Sequence, residues 1–114
     1  MFIDINKVQI FLRPGATDMR KAINGLSAMV QDEMELNMFS DAIFLFCGKG
    51  KKILKIVYWD KNGFCLWMKR LEKEKFAWPK DESTSKKITA EELNWLLSGI
   101  NFFNAHQELK MTQI

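Results

Sequence analysis

Histidine, cysteine and proline are scarce in this chain, with one, two and two residues among 114. The single histidine, His106, excludes a multi-histidine metal centre, and no His-based dyad can be assembled around it within one chain. Cys47 and Cys65 allow one bridge at most, and both sit inside apolar runs, where a thiol behaves as a small hydrophobe with no activating cation beside it. No apolar run approaches the roughly 20 residues of a membrane span. No basic segment leading into an apolar stretch follows Met1, so the expectation is a cytoplasmic protein with reduced thiols and no membrane contact. Converging carboxylates are missing as well. Asp4, Asp18, Asp41 and Asp60 are scattered over caps and turns, whereas a two-metal nuclease needs them gathered on the ions. The glycine-lysine string Gly48-Lys49-Gly50-Lys51-Lys52 lacks the Ser or Thr and the glycine spacing of a nucleotide-binding loop, and it precedes a strand where that motif needs a helix. The expectation is therefore a non-enzyme with no metal, cofactor or small-molecule substrate, and a small nuclease ranks last among the alternatives.

What the chain does contain is enough apolar residue for a core: 47% hydrophobic against 27% charged, far from the composition of disorder. Its length suits one domain over residues 1–114, with a core over about 8–100 and a tail over 101–114. The net charge of +3 conceals an uneven distribution. Residues 49–87 hold 12 of the 17 basic and 5 of the 14 acidic side chains, and both flanks are mildly acidic. One sign concentrated in that way points to an anionic partner, nucleic acid being the commonest, because phosphate contacts release counterions. A solubilising lysine-rich face explains the same charge.

Gln9-Ile10-Phe11-Leu12 reads as a short strand ended by the turn signal Arg13-Pro14-Gly15. Thr17 and Asp18 offer N-cap oxygens. Met19, Ala22, Ile23, Leu26, Met29, Val30 and Met34 then recur at helical spacing, which predicts one long amphipathic helix from about Asp18 to Glu35. Gly25 within it suggests close approach of a strand, and Arg20, Lys21, Asn24, Gln31 and Asp32 fall off the apolar stripe. Ala42–Cys47 is a continuous apolar run, expected as a buried central strand. Ile53–Trp59 and Phe64–Lys69 follow as two arms of a hairpin whose Asn62-Gly63 pair suits a type I′ turn. A further short strand is expected at Phe76–Pro79, and 80–87 reads as a polar linker. Thr89 and Glu92 form a capping box for a second, short helix over about Ala90–Ser98, ending near Gly99 on a stripe that includes Ile100. The fold expected is α+β: a small antiparallel meander with an Asn-Gly hairpin, packed against one long helix, plus the short C-terminal helix.

A basic, aromatic-interleaved region remains as the candidate binding surface. Lys49, Lys51, Lys52, Lys55, Lys69 and Arg70 lie in or beside the hairpin, among Tyr58, Trp59, Phe64, Trp67, Phe76 and Trp78. Lysine and arginine supply phosphate contacts, and an exposed aromatic can stack on a base, although a small sheet needs most of its large rings inside. Arg13, Arg20 and Lys21 extend the same footprint if the start of the first helix packs near the hairpin.

Several strings resemble one known family. They are Arg13-Pro14-Gly15-Ala16-Thr17-Asp18-Met19-Arg20-Lys21 with Gly25-Leu26, Tyr58-Trp59-Asp60 with Gly63-Phe64, Lys69-Arg70-Leu71-Glu72, Phe76, Trp78-Pro79, and Leu96-Leu97-Ser98-Gly99-Ile100. In this order and at this separation they resemble the TnpB-type accessory proteins of the insertion sequence sixty-six family of bacterial transposons. Two places depart from that family's pattern. Gly48-Lys49-Gly50-Lys51-Lys52 stands where the family has an Asn-Arg-Arg-type turn, so a bidentate arginine contact is lost there, and Asn37-Met38 replaces an Asp-Pro. The resemblance implies an accessory role in DNA transposition beside a separate transposase and another accessory protein, with transposon-end DNA as the expected nucleic-acid partner. An adaptor that meets an acidic surface of the transposase without touching DNA is the alternative.

Overall fold

A computed structural model describes residues 3–80 and 83–99 of the chain. Seven elements follow one another: β1 (Gln9–Leu12), α1 (Ile23–Asp32), β2 (Ala42–Cys47), β3 (Ile53–Asp60), β4 (Gly63–Arg70), β5 (Lys86–Ile88) and α2 (Ala90–Leu97). The strands form one sheet in the order β4-β3-β2-β1-β5. The fold is α+β, as expected. The sheet, however, is mixed: β1 pairs parallel to β2, and the remaining neighbours are antiparallel. The parallel pair arises because α1 carries the chain from the end of β1 back to the start of β2, a connection that a two-residue turn cannot make.

Each strand alternates its side chains between two cores. Ile10, Leu12, Ile43, Leu45, Leu54 and Ile56 face α2 and the segment that carries Phe76 and Trp78. On the opposite face Phe44, Phe46 and Val57 meet Leu26, Met29 and Val30 of α1. All six residues of β2 are buried, which accounts for its unbroken apolar run.

Several expectations are corrected. The first helix is 10 residues long and not the one long helix that the spacing suggests. Met19 and Met34 do pack on the α1 side of the sheet, but from a turn before the helix and from the chain just after it. At the start, the Lys21 amide donates to the Asp18 carbonyl and the N-cap is Ala22, with no side-chain cap. At the end, Met34 and Leu36 donate back to Met29 and Val30, and Glu35 has φ of 57°, a left-handed stop. Gly25 approaches no strand: a Cβ there would meet the Lys21 side chain at 3.3 Å.

The hairpin exists, but Asn62-Gly63 is not its turn. Asp60 pairs with Gly63, so the connection is Lys61-Asn62, with Lys61 at φ 51°. Matching Trp59 to Phe64 and Tyr58 to Cys65 across the strands fixes that register. Phe76–Pro79 forms no strand, whereas β5 appears inside the stretch read as a linker and pairs antiparallel with β1. The second helix agrees with its capping box: Thr89 Oγ1 accepts from the Glu92 amide at 3.1 Å, and Glu92 Oε1 accepts from the Thr89 amide at 3.0 Å. Gly99, at φ 80°, follows its end. Ile100, the tail and His106 lie outside the described residues.

Candidate nucleic-acid interface

Because β1 and β2 run parallel, their carboxyl ends emerge on the same side of the sheet, and the loops that follow them become neighbours. The crevice beyond the carboxyl ends of parallel strands is where α/β sheets commonly hold ligands. Here the first loop is Arg13–Thr17 and the second is Gly48–Lys52. Main-chain hydrogen bonds join them: the Arg13 amide donates to the Leu45 carbonyl at 3.0 Å and the Thr17 amide to that of Cys47 at 2.8 Å.

A third segment closes the group. The Phe76 amide donates to the Lys51 carbonyl at 2.7 Å, and the Gly15 amide donates to the Pro79 carbonyl at 2.9 Å. Trp78, buried to 6% exposure, donates its indole Nε1–H to the carbonyls of both Arg13 and Gly15, each at 2.9 Å. These three segments enclose a cleft of about 360 Å³. Lys49, Lys51 and Lys80 line it together with Gly15, Gly48 and Trp78, and among the described residues no carboxylate lines it.

Two backbone features shape the cleft. A Cβ at Gly48 would stand 2.7 Å from Met19 Cγ, so a side chain there would force the Met19 side chain to move. Lys51, with φ of 60°, occupies the left-handed region that costs a non-glycine residue about 1–2 kcal/mol. Its amide closes the turn on the Gly48 carbonyl at 3.0 Å.

The nine basic residues singled out from the sequence fall into two classes. Six make contacts within the chain. Arg13 donates to the Ala16 carbonyl at 2.9 Å and lies 3.7 Å from Glu33. Arg20 grips both oxygens of Asp18, its Nη2 at 2.7 Å from Oδ2. Hydrogen bonds from that guanidinium, and then one from the Arg20 amide, hold the Asp18 carboxyl at a pKa of about 2. Lys52 Nζ donates to the Glu72 carbonyl at 3.3 Å, and Arg70 pairs with the Glu72 carboxylate at 3.0 Å. Lys69 Nζ donates at 2.6 Å to the carbonyl of Leu97, where α2 ends and a cation suits the helix dipole. Lys55 Nζ reaches back across the sheet to the carbonyls of Met19 and Lys21, at 2.8 and 2.9 Å. This last contact does place the segment before α1 beside the hairpin.

Lys21, Lys49 and Lys51 have no side-chain hydrogen bond or ion pair among the described residues. Lys49 and Lys51 share the cleft, and Lys80 joins them from the third segment. Sequence reasoning left Lys80 in a linker. Its only local signal is its position directly after Trp78-Pro79. The aromatics divide similarly: Tyr58, Phe76 and Trp78 are buried, Trp59, Phe64 and Trp67 half-buried.

Cys47 is fully buried under the same loops, and desolvation pushes its thiol pKa up to about 12. Among the described residues, no group of three His, Cys, Asp or Glu side chains could hold a metal ion, and no helix is long and apolar enough to cross a membrane.

Comparison with known proteins gives a consistent answer. Residues 8–107 match the TnpB_IS66 family, described as IS66 Orf2 like protein. The uncharacterized protein y4hO of Sinorhizobium fredii is 33% identical over 107 residues, which covers 94% of this chain and 93% of that one. A second uncharacterized protein of the same organism, y4jC, is 30% identical over 95 residues, 83% of this chain and 81% of its own. No solved structure matches. With most of its length matched, the chain belongs to the IS66 Orf2-like family.

Proposed function

We propose that the chain serves the transposition of an insertion sequence as a non-catalytic accessory protein, and that it grips DNA phosphates through the lysines of the loop cleft. Family membership supports the process. The observation that carries the mode of action is the cleft itself: three ammonium groups, no lining carboxylate among the described residues, and walls held by main-chain hydrogen bonds. Lys21, exposed near the start of α1, is a fourth cation with no ion pair among the described residues. The other six of the nine bases make contacts within the chain, Arg13 and Lys55 with carbonyls of the loop region. The role is positioning: phosphate contacts fix the register and orientation of a duplex and carry no sequence information. The element's transposase then supplies the cutting and joining chemistry, in a complex with this chain and the other accessory protein.

The salt dependence of binding to duplex DNA tests this reading. The slope of log K against log salt should fall by about 0.9 for each phosphate contact removed. Changing Lys49, Lys51 and Lys80 together to alanine should flatten it, whereas Lys69→Ala should leave it nearly unchanged. Absence of DNA binding at low salt would overturn the proposal. Co-purification with the transposase in the absence of DNA, lost in the same triple variant, would favour the adaptor that meets an acidic protein surface.

A further inference from the structure

The two edges of the sheet are treated differently. β5, at one edge, has three residues, two of them lysines, a short charged edge of the kind that discourages further pairing. β4, at the other edge, is eight residues long, contains no proline, and pairs residue for residue with β3 without a bulge. It carries no charge until Lys69. The Leu71 amide, just past β4, donates to the Lys52 carbonyl at 2.8 Å, so odd-numbered residues turn their main-chain groups toward β3. The even-numbered residues Phe64, Leu66, Met68 and Arg70 therefore present their N–H and C=O groups outward.

The same corner holds the exposed large hydrophobic side chains of the described residues: Phe39 at 55%, Leu66 at 36% and Met68 at 58%. Leu66 and Met68 stand on the α1 side of β4. Phe39 packs on Trp59 and Phe64, with ring centroids 5.0 and 5.8 Å apart, and so extends the patch beyond the hairpin. A sheet edge left unpaired among the described residues, with an apolar strip along it, is a template for another strand.

We propose that β4 pairs antiparallel with β4 of a second copy about a two-fold axis at Leu66, joining two five-stranded sheets into one of ten. The inference is independent of the DNA reading. A two-fold axis perpendicular to the sheet keeps each face with its like, so the pattern must be self-complementary. About Leu66 it is. Leu66 faces Leu66 of the second copy, and Phe64 faces Met68 twice, a favourable sulfur–aromatic pairing. On the other face Cys65 meets Trp67 and Gly63 meets Lys69. Arg70 falls opposite Asn62 and diagonal to Asp60, so no like charges oppose one another within the paired strands. Moving the axis to Phe64 sets Met68 against Asp60, and moving it to Met68 sets Arg70 against Leu66.

Sedimentation equilibrium of the full-length chain at increasing concentration tests the proposal. Twice the chain mass is expected, and Met68→Glu should weaken association at least about tenfold. Because Met68 is more than half exposed, circular dichroism and the melting curve of that variant should show an unchanged fold. In a Cys65→Ser background, Leu66→Cys should crosslink across the axis on mild oxidation, since directly opposed, hydrogen-bonded residues sit about 5.5 Å apart at Cα, within disulfide reach. A monomer at all concentrations, or a dimer indifferent to Met68→Glu, overturns the proposal. A dimer in which Leu66→Cys fails to crosslink overturns the pairing about Leu66, and a chain that stays monomeric alone but pairs with the transposase overturns self-association.

Discussion

The indole of Trp78 is hydrogen-bonded to the main-chain carbonyl of Arg13, 65 positions earlier in the chain, at 2.9 Å. The same N–H is shared with Gly15 at 2.9 Å, so one side chain fixes the position of the first loop relative to the third segment. Trp78→Phe should retain most of the apolar packing yet leave both carbonyls without this donor, a loss of about 1–3 kcal/mol. Urea denaturation should show a lowered midpoint with an unchanged m-value. DNA affinity should fall although no charge has been removed. An unchanged midpoint would mean that the indole contact does not brace the loop.

Lys55→Met, set beside Lys49→Met, separates a lysine engaged within the fold from one proposed to contact phosphate. Methionine keeps the apolar stem but removes the donor for the Met19 and Lys21 carbonyls, which should cost about 1 kcal/mol. Lys49→Met, at an exposed position with no ion pair among the described residues, should leave stability within about 0.5 kcal/mol. Denaturation midpoints of the two variants decide the matter. Equal effects would contradict the division of the bases into two classes.

Lys51→Gly should uncouple stability from binding in the opposite sense. Relief of the left-handed conformation at Lys51 favours the variant by about 1 kcal/mol, partly offset by the freedom of glycine in the unfolded chain. Loss of the ammonium should nevertheless reduce the salt slope of DNA binding by about 0.9. A variant that melts no lower and binds DNA less tightly is the expected result. One that binds equally well would exclude Lys51 from the interface.

The Asp18–Arg20 pair sets a pH dependence. The Asp18 carboxyl is held at about 2, below its ordinary value near 3.8, so the folded state favours the ionised form. The stabilisation is present above about pH 4 and is lost as pH falls toward 2. Carboxyl carbon shifts followed by NMR should give Asp18 the low midpoint in the native chain and a higher one in Arg20→Ala, still below the ordinary value because the main-chain N–H of residue 20 continues to donate to Asp18 Oδ1. A normal midpoint in the native chain would show that the pair is not formed in solution.

Much of the fold is legible because it is determined over short stretches. The apolar run of β2 needs only its neighbours to be recognised, and the Thr89–Glu92 capping box is complete within four residues. The misread parts depend on distant partners. Nothing in Ser85-Lys86-Lys87-Ile88 favours a strand strongly, yet the outer edge of β1 is open and Ile88 fits the core opposite Ile10. The first helix looks longer than it is because Met19 and Met34 keep facing the sheet after the backbone has left helical geometry. At the candidate site, the positions of the lysines are visible in the sequence, whereas their partners are not. Lys52, Lys55 and Lys69 each reach a carbonyl 20 or more residues away, and only the tertiary structure separates them from Lys49 and Lys51.

The parallel pairing of β1 with β2, finished by β5 on the far side of β1, sets an order of events at the ribosome. Domains are synthesised from the amino end, at about 5–20 residues per second. β1, α1, β2 and the hairpin emerge with their own pairing partners, while the third wall of the cleft is still inside the exit tunnel. A nascent chain that stops before Trp78 owns both loops, joined by the Arg13 and Thr17 amides, but lacks the segment that closes the cleft over them. The closed cleft is thus among the last features to come into being, and a truncated translation product would carry Lys49 and Lys51 without Lys80 and without the wall that shapes the site.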